Sequence, residues 1–166
     1  MIDWILAGIG LALSGGTVPD TGSNSTQTAE LQGGGASVQV FEAEPQVPSG
    51  KFTTATEIKM IMQATKTNWV AVREFNGQDL VYVTHLLSWR CGMHQVRYSI
   101  NDAPMQVWTL PPCLIDTAQP NAIRTEDGLP YQAFALGSVQ SIAIEILYDD
   151  LSTDNARFDR AQVLMP

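Results

Sequence analysis

The chain has 166 residues, enough for one ordinary domain and a tail but too few for two comfortable ones. Its formal charge is −8, and the acidic side chains Asp3, Asp20, Glu30, Glu42 and Glu44 precede Lys51 without a single Lys or Arg among them. No basic cluster occurs anywhere, which argues against nucleic acid or an anionic lipid surface as partner.

Residues 4–13 (Trp-Ile-Leu-Ala-Gly-Ile-Gly-Leu-Ala-Leu) form an apolar run of the length of a signal-peptide core, well short of a bilayer span. Small residues at Ala12 and Ser14 suit cleavage, whereas Asp3 stands where an export signal carries positive charge. The expectation is a signal or apolar anchor at residues 1–14 and a periplasmic or secreted domain, membrane-associated only where that segment is retained. Residues 15–50, rich in Gly, Ser, Thr and Pro, read as a flexible linker with too little apolar area to offset chain entropy. Within it Val38-Gln-Val-Phe41 could add an extended segment to a sheet edge.

From Lys51 onward the pattern is that of one folded domain. Thr54-Ala-Thr-Glu57 fits a capping box, and Ile58, Ile61, Met62 and Thr65 recur at helical spacing, which predicts a helix over residues 55–64. Residues 69–75 read as a strand, Asn76-Gly77 as a hairpin turn, and residues 80–87 as a returning strand with both faces apolar, with His85 on the face of Val81, Val83 and Leu87. A second hairpin follows: residues 93–100, a turn at residues 101–104, and residues 105–109, stopped by Pro111 and Pro112. Alternation puts His94, Val96, Tyr98 and Ile100 on one face and allows His94 to point inward. Residues 114–130 form a long loop, residues 131–136 a strand, residues 141–148 the clearest strand of all, and residues 161–165 a short closing strand. Six to seven strands with one N-terminal helix predict a mainly β domain, an antiparallel sandwich or small barrel.

Cys91 and Cys113 flank the second hairpin, so its two ends can meet in a disulfide, which for a loop of ~20 residues is worth ~3 kcal/mol. The competing reading is a metal-dependent or Cys/His hydrolase using His85, Cys91 and His94, with Cys113 completing a two-Cys, two-His set. Ser88 lies near His85, but no Gly-x-Ser-x-Gly elbow is present. Asp149, Asp150, Asp154 and Asn155 could ligate calcium, though a solvated turn uses the same residue types. Trp89, Trp108 and Tyr98, with Trp69, could form an aromatic platform for a partner or a sugar.

Three phrases, Asn68-Trp-Val-Ala-Val-Arg-Glu, Thr84-His-Leu-Leu-Ser-Trp-Arg-Cys-Gly and Glu126-Asp-Gly-Leu-Pro-Tyr, resemble stretches of uncharacterised exported proteins of Rhodobacter-type bacteria. The resemblance covers the chain from about Phe52 and implies no activity. With no assembled catalytic motif and no cofactor signature, the sequence reads as an exported, non-enzymatic binding or structural module whose partner is another protein or an envelope component. A calcium-stabilised carbohydrate-binding module is a further alternative.

Overall fold

The computed structural model describes residues 39–166, together with the backbone of the two-residue strand β1 (Thr28–Ala29). The expected apolar leader at residues 1–14 lies outside the described residues. The architecture is mainly β, with two open antiparallel sheets that do not close into a barrel. A three-stranded sheet has the order β3 (Ala71–Phe75), β4 (Gln78–Tyr82), β7 (Tyr131–Ala135). A four-stranded sheet has the order β6 (Gln106–Trp108), β5 (Met93–Ile100), β8 (Ser141–Tyr148), β9 (Thr153–Asp159). A third, minimal ladder pairs β1 with β2 (Phe41–Glu42).

Period-two patterning explains the core. Ile142, Ile144, Ile146 and Tyr148 of β8 are buried on one face, beside Val96 and Tyr98 of β5 and Phe158 of β9. Val72 and Val81 join the same cluster from the other sheet. The Tyr98 hydroxyl donates to Gln132 Oε1 of β7 at 2.6 Å and so ties the two sheets together. Asn76 and Gly77 both take positive φ (50° and 74°), the two-residue turn that matches strand twist in the β3–β4 hairpin.

Helix α1 (Ala55–Ala64) begins where the sequence places it. The Glu57 carboxylate accepts the N–H groups of Ser49, Gly50, Thr53 and Thr54, folding the preceding loop onto the helix start. Ala55, Ile58 and Met62 are buried. Gly92 lies under this face, and a Cβ there would come within 2.7 Å of Ile58 Cδ1 and 2.9 Å of the Thr54 backbone.

Three expected strands are corrected. Trp69 does not open β3: it ends a 3-10 turn (Lys66–Asn68), fully buried, and its Nε1 donates to Met62 O at 3.0 Å. The strand expected to reach Leu87 ends at Tyr82, where Val83 N donates to Pro130 O, and α2 (Thr84–Leu87) follows. Leu86 and Leu87 are both buried, and a helical turn can send adjacent side chains inward where a strand would send them to opposite faces. The closing strand is instead the single turn α3 (Arg160–Val163), held by Arg160 against buried Asp79 (2.7 Å). Only Leu164, bridged to Val72, and Met165, whose N–H donates to Val72 O, run beside β3.

Residues 41–50, expected within the linker, are fastened to the domain as a strap. Phe41 stacks on His94 at 5.0 Å, Glu44 N donates to Asp149 O, and Gln46 accepts from Thr56 N.

Candidate functional site

In the three-stranded sheet, Val72 on β3, Val81 on β4 and Gln132 on β7 are register partners turned toward the core. The alternate residues therefore share the opposite face: Ala71, Arg73 and Phe75; Tyr82, Leu80 and Gln78; Tyr131, Ala133 and Ala135. Among the described residues no element covers this face. Phe75 is 53% exposed, Ala133 and Ala135 are exposed, and the Tyr82 and Tyr131 rings stand side by side with centroids 4.9 Å apart. Leu80, in the middle of the face, is only 5% exposed.

At one end of this face lies a cavity of about 390 Å³ lined by Asn68, Ala71, Arg73, Tyr82, Thr84, His85 and Met165. It contains no carboxylate. Arg73 packs over the Phe75 ring at 4.9 Å. Lys59, Lys66, Arg97, Arg124, Arg157 and Arg160 all form ion pairs, whereas Arg73 has no polar partner among the described residues. His85 Nε2 lies 2.8 Å from Thr65 Oγ1, whose hydroxyl donates to Ile61 O at 2.6 Å. Since that hydroxyl proton is committed, His85 donates Nε2–H, and Nδ1 is the lone-pair acceptor of the neutral ring. Burial pushes the His85 pKa down, which favours that neutral form.

No family model, curated protein or solved structure matches the chain. The site rests on its own geometry.

The structure redistributes the residues singled out in the sequence. Cys91 and Cys113 form the expected disulfide, with Cα atoms 5.0 Å apart. Both sulfurs are thereby occupied, so the oxidised chain offers neither a thiolate ligand nor a thiol nucleophile. His94 and the disulfide line one cleft while His85 lines another, so the three residues of the hydrolase reading are not brought together. His94 is the extra residue of a β-bulge between Met93 and Gln95. The bulge takes it out of the alternation that would have aimed it inward, and its Nε2 instead meets Glu42 O of the strap at 2.8 Å. The Ser88 hydroxyl donates to Thr84 O rather than facing His85.

Tyr98 and Trp108 are corrected from platform to core. Their rings pack edge to face at 5.2 Å and each is only 5% exposed, because β6 lays Trp108 onto β5. Trp69 is also core. Trp89 is half-buried, edge-on to Phe52 at 5.2 Å. The acidic run is a turn only as far as Ser152, Asp154 and Asn155 belonging to β9, and each of its three carboxylates has a protein partner in α1, the 3-10 turn after it or the strap. Asp149 Oδ1 accepts Ala55 N and Gln46 Nε2, both at 2.8 Å, while Asp150 pairs with Lys59 and Asp154 with Lys66. Among the described residues no group of three or more His, Cys, Asp or Glu converges as a metal site would require. Likewise, no helix of the described residues is long and apolar enough to cross a membrane.

Asp149 has a measurable signature. Burial raises its carboxyl pKa above 3.8 despite the hydrogen bonds from Gln46 and Ala55, and neighbouring Glu44 and Asp150 add to the rise. Between the unfolded and the raised folded pKa the native state holds more protons, so this group's contribution to stability falls as pH rises through that window. Asp149→Asn is therefore expected to gain stability relative to the parent from about pH 4 upward, by at most about 1.4 kcal/mol per pH unit. Urea unfolding of both proteins across pH 4–7 measures this. A constant difference would show that Asp149 does not titrate there.

The sequence does not reveal the open face, because alternation shows which residues share a face but not which face remains uncovered. Its only signal was the pair of runs Ala71-Val-Arg-Glu-Phe75 and Tyr131-Gln-Ala-Phe-Ala135, which place aromatic and small residues in step.

Proposed function

We propose that the chain is an exported, non-enzymatic module that attaches to a polymer of the cell envelope through the open face of its three-stranded sheet. The observation that carries this is the shared face on which Tyr82 and Tyr131 stand at one end, Phe75 and Ala135 flank Gln78 at the other, and Ala133 lies between, with Arg73 as its one charged side chain. A soluble domain rarely leaves an aromatic and aliphatic patch bare unless something binds there. Arg73, the one charged side chain of this face and without a polar partner among the described residues, favours a hydroxylated, carboxylate-bearing polymer over a hydrocarbon surface. The rest of the domain serves as a rigid mount. The disulfide and the Arg90 contacts hold the long loop, and α1 holds the strap.

The test is a double variant, Phe75→Ser with Tyr131→Ser. Because Phe75 is mostly exposed and Tyr131 only half-buried, the melting temperature is expected to fall by no more than a few degrees. Co-sedimentation of the full-length chain with an envelope preparation from its source organism is expected to be lost. Undiminished retention of the double variant would refute the open face as the attachment surface.

A further inference from the structure

We propose that the cavity at the end of the open face binds a uronic acid residue, a carboxylate on a hydroxylated pyranose ring, within an acidic polysaccharide. This rests on the open face being the ligand surface and names the ligand. Four observations converge on it.

Arg73 is the first. Every other arginine in the chain has its guanidinium engaged, by carboxylates in four cases and by a cage of carbonyls in the case of Arg90. Among the described residues Arg73 has only the Phe75 ring beneath it and no polar partner, which leaves its N–H donors open to a planar carboxylate that they can grip with two parallel bonds. Second, the cavity lining holds no Asp or Glu, so an anion entering it meets no like charge from the walls.

Third, the neutral His85 with its Nδ1 acceptor, the Asn68 amide and the Thr84 hydroxyl supply acceptors and donors of the kind that ring hydroxyls pair with. Fourth, Tyr82 of the cavity wall has the Tyr131 ring beside it, with centroids 4.9 Å apart and planes inclined by 49°, so two differently inclined aromatic faces are available to the C–H groups of the bound ring and its neighbour. At about 390 Å³ the cavity falls within the range of ligand sites and accommodates one such residue. With one guanidinium in its lining, the cavity matches one singly charged carboxylate rather than a doubly charged phosphate monoester.

The experiment titrates the full-length chain with polygalacturonate, its fully methyl-esterified form and polyglutamate, following binding by calorimetry in calcium-free buffer. Polygalacturonate is expected to bind at least tenfold more tightly than the ester, because esterification removes the charge that Arg73 grips, and more tightly than polyglutamate, which has carboxylates but no rings. Arg73→Gln is expected to erase most of the preference for the free acid while leaving the melting temperature unchanged, and Arg73→Lys to restore part of it. Added salt should weaken binding of the acid and leave that of the ester unaffected.

No binding of polygalacturonate, equal binding of polyglutamate, or an Arg73→Gln variant as selective as the parent would each overturn the proposal. Two failures are distinguishable. If acid and ester bind equally and Tyr131→Ser abolishes both, the open face stands and the acidic ligand falls. If the Phe75/Tyr131 double variant still sediments with the envelope, the face itself is the wrong surface.

Discussion

Replacing Arg90 by alanine is expected to cost more than about 4 kcal/mol and to leave little folded protein, a larger effect than any other single substitution considered for this chain. The residue is 2% exposed and has no carboxylate partner among the described residues. Instead Nε donates to Pro111 O at 3.0 Å, Nη1 to Leu87 O at 3.1 Å and Asn121 O at 2.8 Å, and Nη2 to Pro112 O at 3.0 Å and Ala122 O at 2.9 Å. Those carbonyls come from α2, from the segment after β6, and from the middle of the long loop. One planar fork thus fixes three stretches of chain that share no secondary structure. Removing it strands several carbonyls, each costing about 1–3 kcal/mol if it stays dry. Burial pulls the guanidinium pKa down, yet arginine remains charged throughout the working range, so the effect is not expected to depend on pH.

Arg90→Lys discriminates between charge and geometry. Lysine keeps the charge but has three donors at one point, so it reaches at most part of the cage, and a loss between those of the parent and the alanine variant is expected. Chemical denaturation of the oxidised proteins measures both variants. An alanine variant melting within about 3 °C of the parent would mean that water replaces the guanidinium at little cost.

The elements legible in the sequence are those fixed by short-range chemistry. Thr54 and Glu57 mark the start of α1, Asn76-Gly77 marks the hairpin, and Ile142, Ile144, Ile146 and Tyr148 mark β8, because cap, turn and alternation each act within a few residues. What escaped was decided at a distance. Val83-Thr-His-Leu-Leu87 is an apolar run compatible with strand or helix, and the bond from Val83 to Pro130 settles it. His94 lost its expected direction to one inserted residue in the ladder. Arg90, a lone basic residue between Trp89 and Cys91, carried no local sign that five carbonyls would gather around it. The candidate site was illegible for the same reason. Whether Phe75, Tyr82 and Tyr131 face solvent depends on what the remaining chain fails to cover.

Opening the disulfide is expected to have the second largest effect, and by a different route. Cys91–Cys113 has a sequence separation of 22 and encloses the whole β5–β6 hairpin, so its closure removes about 3 kcal/mol of unfolded-state freedom in the chain-entropy model. For a chain of this size, the double variant Cys91→Ser/Cys113→Ser is expected to melt on the order of 10 °C lower, and mild reduction of the parent should match it. The bond also stands next to the Arg90 cage. Cys91 N donates to Asn121 Oδ1 at 2.9 Å, and Asn121 Nδ2 donates to Phe52 O at 2.8 Å, so the same loop is held at Arg90, at Cys91 and at Asn121. Two restraints on one loop share their benefit. Combining Arg90→Lys with the cysteine replacements should therefore destabilise by less than the sum of the separate losses, by about 0.5 kcal/mol or more. Strict additivity would show that the disulfide acts on the hairpin alone. Either way, the open face of the three-stranded sheet is built from β3, β4 and β7, none of which contains the bond. Reduced protein held well below its melting temperature should thus keep its ligand, whereas a binding site at the disulfide cleft would lose it.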